Sequence, residues 1–476
     1  MTFNFRIYFL SLFAFFVGVK LSAQHQEVPS NPRMWKGKTK KFYDTGAISK
    51  AFHYGVLQGH FRHFLIFTDN EGELTNYFAQ AGGGGIRFET APYHGIQFAV
   101  SGFFIFNIQS SDLGRNDTLA NAGSRYELGL FDIEDPNNRK DLDRLEEFYL
   151  KYNITDNSNL ILGRQLINTP FINLQDGRMR PTGVEGLWFR SQESQKTQLE
   201  GGYLWDMSPR STVRWYDVGE SIGIYGSGRD ITGRPSMYAG KTESHWIAML
   251  GLHRKIGKSK LHAWTFWVDN LINSNLLQLD LVKDMGEDQF YLGLQGIYQQ
   301  GIGNGGNDVD SLKYVSDNHV SKVGSARIGF KNNKWDYQLA YTRITSDGRY
   351  LMPREWGRDP FYTFMPRERN EGLGDVHAVM AKVSRKLTAE HSTISLAVGN
   401  FNLTDVNNVF LNKYAMPDYY QVNVDFRHEF EGVWKGLEAQ FLVAYKKGWD
   451  TESLSEYIVF NKVNLTQYNF VLNYHF

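Results

Sequence analysis

The last residues of the chain, "VNLTQYNFVLNYHF" (463–476), alternate between apolar and polar side chains. One parity is apolar and the other is mostly amide: Tyr468, Phe470, Leu472, Tyr474 and Phe476 stand against Gln467, Asn469, Asn473 and His475. Because successive residues of a β-strand face opposite sides of a sheet, this stretch predicts a strand with one apolar and one polar face. A half-buried strand of a soluble sheet would alternate in the same way, so other parts of the chain must decide.

The first residues, "MTFNFRIYFLSLFAFFVGVKLSAQ" (1–24), are organised like a secretory signal peptide. Arg6 precedes an apolar run that is followed by the small residues Ser22 and Ala23. The run is shorter than the ~20 residues that a transmembrane helix needs. We therefore predict a signal peptide at 1–23, removed after Ala23. The sequence has no cysteine, which excludes disulfides and thiolate metal sites.

The charge balance argues against nucleic acid as a partner. The sequence has 51 basic and 51 acidic residues, and removing Arg6 and Lys20 leaves 49 against 51, a net charge of −2. A nucleic-acid-binding protein usually shows a strong basic excess. Aromatic residues make up 15% of the chain and glycine is frequent, yet no later segment is apolar enough for a spanning helix. This composition fits a membrane β-barrel, in which every second strand residue meets lipid.

The alternation of the C-terminus recurs along the chain, for example in "GIQFAVSGFFIFNI" (95–108) and "YQVNVDFRHEF" (420–430). Short connections separate such segments in pairs, at 91–95, 155–159, 194–197, 256–260, 283–288, 331–334, 387–391 and 431–436. Between them lie nine mostly longer connections, which implies about 18 strands. We predict an all-β fold: a transmembrane antiparallel up-and-down barrel with short periplasmic turns and longer extracellular loops. The barrel domain is 51–476, preceded by a polar periplasmic segment at 24–50.

The aromatic residue at the very end adds to this prediction. A last strand that ends in an aromatic side chain resembles the terminal strand of bacterial outer-membrane barrels. That resemblance implies that Phe476 is an assembly signal for the barrel assembly machinery. Together with the signal peptide, it favours the outer membrane, with its lipid as the surrounding partner.

Motifs for chemistry are sparse. The sequence contains no HExxH and no GxSxG, and its glycine-rich segments at 223–233 and 301–306 do not lie between a strand and a helix. The acidic loop at 132–143 could hold calcium, although a solvated loop explains it as well. We predict no cofactor, no metal and no enzyme activity, while a barrel enzyme with a surface-assembled site stays open as an alternative.

Two regions carry a more specific resemblance. Residues 145–190 contain "LEEFYLKY", "GRQ", "DGRMRP" and "VEG", and residues 413–476 run from "YYQVNVDFRHEF" through "GVWKGLEAQFLVAY" to the closing strand. These regions resemble the OprD family of outer-membrane porins. The resemblance implies an eighteen-stranded barrel whose third loop folds inward and narrows the pore. It also implies a ladder of arginines on the lumen wall that attracts carboxylate-bearing solutes.

Carried onto this sequence, the resemblance and the strand parity identify candidate site residues. The constriction loop, 167–182, would present Asp176, Arg178 and Arg180, with Arg164 at the adjoining strand end. Parity places further basic candidates on the lumen wall: Arg87, Arg327 and Arg427. Arg164 shares its parity with Leu160 and Leu162, so its inward direction would need a bulge. The loop at 347–370 matches no pattern of the family, and we interpret it as an exposed outer loop that includes Arg367 and Arg369.

The predicted function is passive diffusion of small hydrophilic solutes across the outer membrane, favouring carboxylates such as amino acids or organic acids. A polysaccharide or alginate-type export barrel is an alternative, and it would need a lumen denser in arginine and poorer in acids. An adhesin is another, and it would place the function in the outer loops.

Overall fold

The computed structural model describes residues 34–35, 44–174, 178–387 and 391–476. Within these residues the chain forms one sheet in which consecutive strands pair antiparallel and the last strand returns to the first. The strands are β1 Val56–Asn70, β2 Tyr77–Glu89, β3 Ile96–Ser110, β4 Arg144–Thr155, β5 Ser158–Gln165, β6 Gly183–Ser194, β7 Thr197–Ser208, β8 Tyr216–Asp217, β9 Ile247–Ile256, β10 Ser259–Val268, β11 Ile272–Met285, β12 Asp288–Gly301, β13 Val320–Lys331, β14 Trp335–Ile344, β15 Val376–Lys386, β16 Ser392–Asn402, β17 Tyr419–Glu429, β18 Leu437–Gly448 and β19 Leu465–His475.

Eighteen of these strands close the barrel. The two-residue strand β8 pairs only with the end of β7, and β7 itself pairs with β9. The predicted all-β barrel of about 18 strands is therefore confirmed. Every predicted short turn that lies wholly within the described residues joins two paired strands. The turn at 387–391 lies partly outside them.

Among the described residues, helical structure is limited to short pieces. They are α1 Ile48–His53, α2 Glu456–Val459 and the 3-10 turns Leu128–Leu130, Asp310–Leu312 and Gly432–Trp434. Over the part of the chain that the structure describes, we find no helix with the length and apolar character needed to cross a membrane.

The two faces of the wall differ as the alternation predicts. Along β12, Leu292, Leu294 and Tyr298 are exposed on the outside, whereas Gln295 and Gln299 are buried on the inside. An outward apolar band around a polar interior is the arrangement that a lipid bilayer requires of a barrel. The wall thus provides a polar lumen in which loop segments can be held.

The segment before the first strand packs on one end of the barrel. The Thr45 backbone N–H donates to the Pro92 carbonyl at 2.9 Å, and Phe52 of α1 stacks on Phe88 with ring centroids 6.1 Å apart. These contacts place residues 44–53 beside the first short turn. The predicted signal peptide at 1–23 and most of the predicted segment at 24–50 lie outside the described residues.

The C-terminal aromatic closes the seam between β19 and β1. The Phe476 backbone exchanges two hydrogen bonds with Gly59, at 3.0 and 3.1 Å, and its ring stacks on Phe61. The Phe476 ring occupies the space that a Cβ atom at residue 59 would need. Glycine at 59 therefore permits the terminal ring to lie against the first strand.

We expect Gly59→Val to reduce the yield of folded barrel, because the added side chain would displace the Phe476 ring and overpacking costs about 1–3 kcal/mol. The measurement is the fraction of unheated protein that migrates as the compact form in SDS gels. Gly324→Val is the matched control, since a Cβ there meets no atom within 4 Å. Equal yields from the two variants would contradict the proposed seat for Phe476.

Candidate functional site in the barrel lumen

A β-bulge in β4 brings two carboxylates to the inside of the wall. Ser101 pairs with Glu147 and Gly102 pairs with Leu145, so Glu146 is the extra residue between them. Both Glu146 and Glu147 are buried, although they are neighbours in sequence. Bulges redirect side chains in this way. The consequence is a pair of acids facing into the lumen beside the third connection.

The Glu146 carboxylate holds Arg180, one of the predicted constriction residues. Arg180 Nε donates to Glu146 Oε1 at 2.7 Å, and its NH2 group forms an ion pair with the other carboxylate oxygen. Arg144 NH2 bonds to Glu146 Oε1 at 2.8 Å. His60 Nδ1 lies 3.0 Å from Arg180, and the Phe103 ring covers the guanidinium at 4.4 Å. Arg180 is thus enclosed in a buried network rather than exposed to an open pore.

The other predicted constriction residues have different surroundings from those of Arg180. Asp176 lies outside the described residues. Arg178 has a left-handed backbone, with φ of 47°, and its side chain lies beside Gly129 of the second long connection. Arg164 pairs with Glu185 at 2.7 Å and stacks on Trp215 at 4.5 Å.

Described residues of the third connection, 166–182, contact a strand and another loop. Phe171 stacks on Phe266 of β10 with ring centroids 4.7 Å apart. The Asn173 amide donates to the Arg358 carbonyl at 2.9 Å, and the Asn173 backbone N–H donates to the Trp356 carbonyl. The connection is therefore tied to residues 345–375, which form the loop between β14 and β15.

This loop, 345–375, crosses the lumen. Its carbonyls and side chains bond to inward-facing residues of strands on different sides of the barrel. These bonds join Pro360 to Gln295, Tyr362 to Asp280, Thr363 to Thr342, Pro366 to Gln421, and Arg367 to Gln467 and Asn469. The interpretation of 347–370 as an exposed outer loop is therefore wrong. The sequence signal for burial is its apolar content, in "YLMPREW" and "PFYTFMP". Large apolar side chains are found mainly in protein interiors rather than in solvated loops.

The three arginines predicted on the lumen wall lie in two separate regions of the barrel. Arg87 bonds to Glu89 at 3.0 Å and to the Tyr149 hydroxyl at 2.7 Å, on the bulged side of the barrel. Arg327 pairs with Asp280 at 2.9 Å, while Arg427 pairs with Asp425 at 2.9 Å and keeps about half of its side chain exposed. The latter two arginines are separated from Arg87 but close to each other.

Arg327 and Arg427 line a single cavity of about 120 Å³ beneath the lumen-crossing loop. Lys382 and Arg358 line it as well, and Asp425 is the carboxylate among its lining residues. Guanidinium groups present planar pairs of donors that match a carboxylate. This cavity is the place where the predicted basic wall and the lumen loop meet.

The outer loops share a buried charged core, which the sequence reading missed. Glu371 accepts a hydrogen bond from Arg354 at 2.7 Å and one from the Tyr414 hydroxyl at 3.0 Å. Lys413 lies 3.7 Å from Glu371 and donates to the Tyr238 hydroxyl at 2.9 Å. Burial lowers the pKa of Lys413 to about 8, and the charge of Glu371 opposes that shift. The cluster ties together three long connections.

Among the described residues, no group of three or more histidine or carboxylate side chains is arranged to hold a metal ion. The acidic loop at 132–143 instead bonds internally and to Arg214, whose guanidinium lies 2.7 Å from Glu134.

Comparisons with known proteins agree with this architecture. The model of the outer membrane porin family OprD matches residues 124–363. Two Pseudomonas aeruginosa crystal structures, OpdK with vanillate and OccK9 (OpdG), align with TM-scores of 0.69 at 13% and 14% identity. OccAB3 of Acinetobacter baumannii gives a TM-score of 0.69 at 14% identity, and each alignment covers 89% of this chain and 99% of the other. A search of the curated proteins found no match. At these identities the structural likeness shows the fold alone.

Proposed function

Because the chain belongs to the OprD family of outer-membrane porins, we propose that it lets small hydrophilic solutes diffuse passively through its lumen, favouring those with a carboxylate. The protein is an outer-membrane β-barrel. The transport that we propose needs no cofactor and no covalent step. The electrostatic field in the lumen and the width of the pore select the solute, as in other channels.

The proposed preference for carboxylates is supported by the cavity that Arg327 and Arg427 both line. Both guanidiniums lie on the inner wall below the lumen-crossing loop, with Lys382 and Arg358 around the same space. In a narrow opening with low-dielectric walls, a few fixed charges act strongly on a passing ion. The interleaved Asp425 would confine solutes that carry both signs of charge.

The narrowing itself, in our proposal, comes from the third connection together with 345–375. The stacking of Phe171 on Phe266 and the bonds from Asn173 to the second loop support this role. Irregular backbone at membrane depth finds hydrogen-bond partners when it is surrounded by protein and water. Asp176 and Arg178 keep their proposed place at the constriction, whereas Arg180 supports the connection from behind.

We expect Arg427→Gln to shift the ion selectivity of the pore toward cations. A unit charge about 5 Å from an ion in a water-like medium contributes roughly 0.8 kcal/mol, a factor of up to about four in permeability. The measurement is the reversal potential in planar bilayers under a KCl gradient, followed by the same measurement with vanillate and other carboxylates.

The matched control is Arg385→Gln. Arg385 is exposed, stacks on Trp335 at 4.9 Å and shares its parity with the outward-facing Val379. It should leave the selectivity unchanged. If Arg385→Gln shifts the reversal potential and Arg427→Gln does not, the proposed lumen path is wrong. A current that appears only with polysaccharide would favour the export alternative.

Assembly is a separate part of the proposal. We propose that the barrel assembly machinery recognises the last strand through Phe476, whose side chain is half exposed at the edge of the barrel.

A further inference from the structure

The segment before the first strand has one anchor at the short-turn end of the barrel and another in the lumen. At the short-turn end, the Asp44 carboxylate accepts a hydrogen bond from the His94 backbone N–H at 2.8 Å. Trp35, nine positions before Asp44 in the chain, contacts two residues inside the barrel. Nine residues can span up to about 30 Å, so one segment can make both sets of contacts.

The two contacts place the Trp35 ring in the lumen. The ring meets the His60 ring edge to face, with centroids 6.3 Å apart and an interplanar angle of 82°. His60 faces inward from β1 and is buried, whereas Leu57 and Phe61, on the other parity, are exposed on the outside. The Arg180 guanidinium lies 5.0 Å from the centre of the Trp35 ring. Trp35 therefore lies on the inner side of the wall, beside the end of the third connection.

Trp35 completes the enclosure of Arg180. The Phe103 ring lies 4.4 Å from the same guanidinium, Glu146 bonds to it, and Arg180 is 4% exposed. Phe103 and Glu146 are residues of the barrel strands, whereas Trp35 precedes the first strand. The strand residues are fixed by their pairing, so Trp35 is the member of this enclosure that can leave while the barrel stays closed. The exposure of Arg180 to the lumen therefore depends on the position of Trp35.

The contacts of Trp35 are suited to reversible docking. A buried indole N–H usually has a hydrogen-bond partner, yet Nε1 of Trp35 is buried and has no such partner among the described residues. The contact with the Arg180 guanidinium is then the main electrostatic attraction. A cation–π contact changes an equilibrium constant roughly two- to thirtyfold. A preference of this size allows a docked state and a withdrawn state to be populated together.

We propose that residues 34–35 are a plug that docks in the lumen from the short-turn end and narrows the pore, with Arg180 as the seat for Trp35. Withdrawal of the plug widens the path beside the third connection and exposes the Arg180 guanidinium to passing ions. The docked state is therefore the narrower and the less anion-selective of the two. This inference rests on the proposed pore and adds a closing element that belongs to the chain itself.

The first test is single-channel recording of the full-length protein in planar bilayers with KCl. We expect Trp35→Ala to raise the conductance and to abolish the fluctuations between two levels that docking and withdrawal produce in the wild type. The exposed Arg180 charge should raise the permeability of chloride relative to potassium by a factor of up to about four, as for a unit charge about 5 Å from an ion in a water-like medium. Trp35→Phe keeps an aromatic face and should stay close to the wild type.

The matched control is Trp434→Ala, which removes the same kind of ring at the same end of the barrel. Trp434 is 63% exposed in a short turn, so its removal should change neither the conductance nor the selectivity. Trp35→Gln also lacks an aromatic face, and it decides the result if Trp35→Ala does not fold. Compact migration in unheated gels verifies the folding of each variant.

Thiol labelling tests the docking separately from the current. The chain has no cysteine, so Met34→Cys introduces a single reactive thiol next to Trp35. We expect a water-soluble maleimide to label this thiol roughly two- to thirtyfold faster when Trp35→Ala is added, because the withdrawn state then gains population. An unchanged labelling rate, or a conductance of Trp35→Ala equal to that of the wild type, would overturn this inference alone. If neither the wild type nor any variant carries a KCl current, the proposed pore is overturned together with it.

Discussion

Replacing Glu146 with glutamine is expected to destabilise the folded barrel by about 3–5 kcal/mol, because removing one partner of a buried ion pair leaves the opposite charge uncompensated. Here two guanidiniums depend on the same carboxylate. Arg144 and Arg180 both bond to Glu146, and the side chain of Glu146 is fully buried. The expected result is a lower temperature for the conversion from the compact to the extended form in SDS gels.

A surface pair provides the comparison. Glu185→Gln removes an ion pair with Arg164, whose side chain is 31% exposed. Pairs in contact with water contribute about 1 kcal/mol or less, so this variant should shift the transition little. Adding Arg180→Met to Glu146→Gln should recover part of the loss, since one cation fewer then lacks its partner. If Glu146→Gln and Glu185→Gln shift the transition equally, the buried network does not stabilise the barrel.

The wall could be predicted from the sequence because its physical pattern is local. Side chains in a strand alternate with period two, and a barrel in lipid must show that alternation in every strand. The assignment of Arg327 and Arg427 to the lumen wall needed only parity, and the structure places both on one cavity. The prediction that Phe476 is an assembly signal rests only on its position at the end of the chain. Its contact with Gly59 could not be predicted from the sequence.

The interior could not be predicted, because its contacts join residues far apart in the chain. Parity places Glu146 and Glu147 on opposite faces, and only the pairing with β3 reveals the bulge that turns both inward. The sequence predicts Arg180 as a charge at the constriction, but it does not show that Glu146 and His60 contact its guanidinium. The loop at 345–375 contacts strands on several sides of the lumen. No local sequence pattern predicts which of the nine long connections crosses the lumen.

We expect Glu371→Gln to loosen the outer loops while the barrel itself stays intact. The glutamine would remove the negative charge that pairs with both Arg354 and Lys413, in a site where Glu371 is 1% exposed and Lys413 is 2% exposed. A loss of about 3 kcal/mol corresponds to roughly a hundredfold larger population of opened loops. When opening is fast, proteolysis follows that population. The measurement is the rate of protease cleavage within 345–375 and 403–418, with unheated gels to verify the barrel.

The control for this prediction is Asp310→Asn in another outer loop. Asp310 pairs with Lys313 at 2.7 Å, but its side chain is 86% exposed, so the pair is worth little and cleavage should stay at the wild-type rate. A second variant tests the cause. In Glu371→Gln with Lys413→Met, one of the two unpaired cations is removed, so the cleavage rate should fall back toward that of the wild type. If the double variant is cleaved as fast as Glu371→Gln, the loops are held by packing around Tyr238 and Tyr414 rather than by the buried charges.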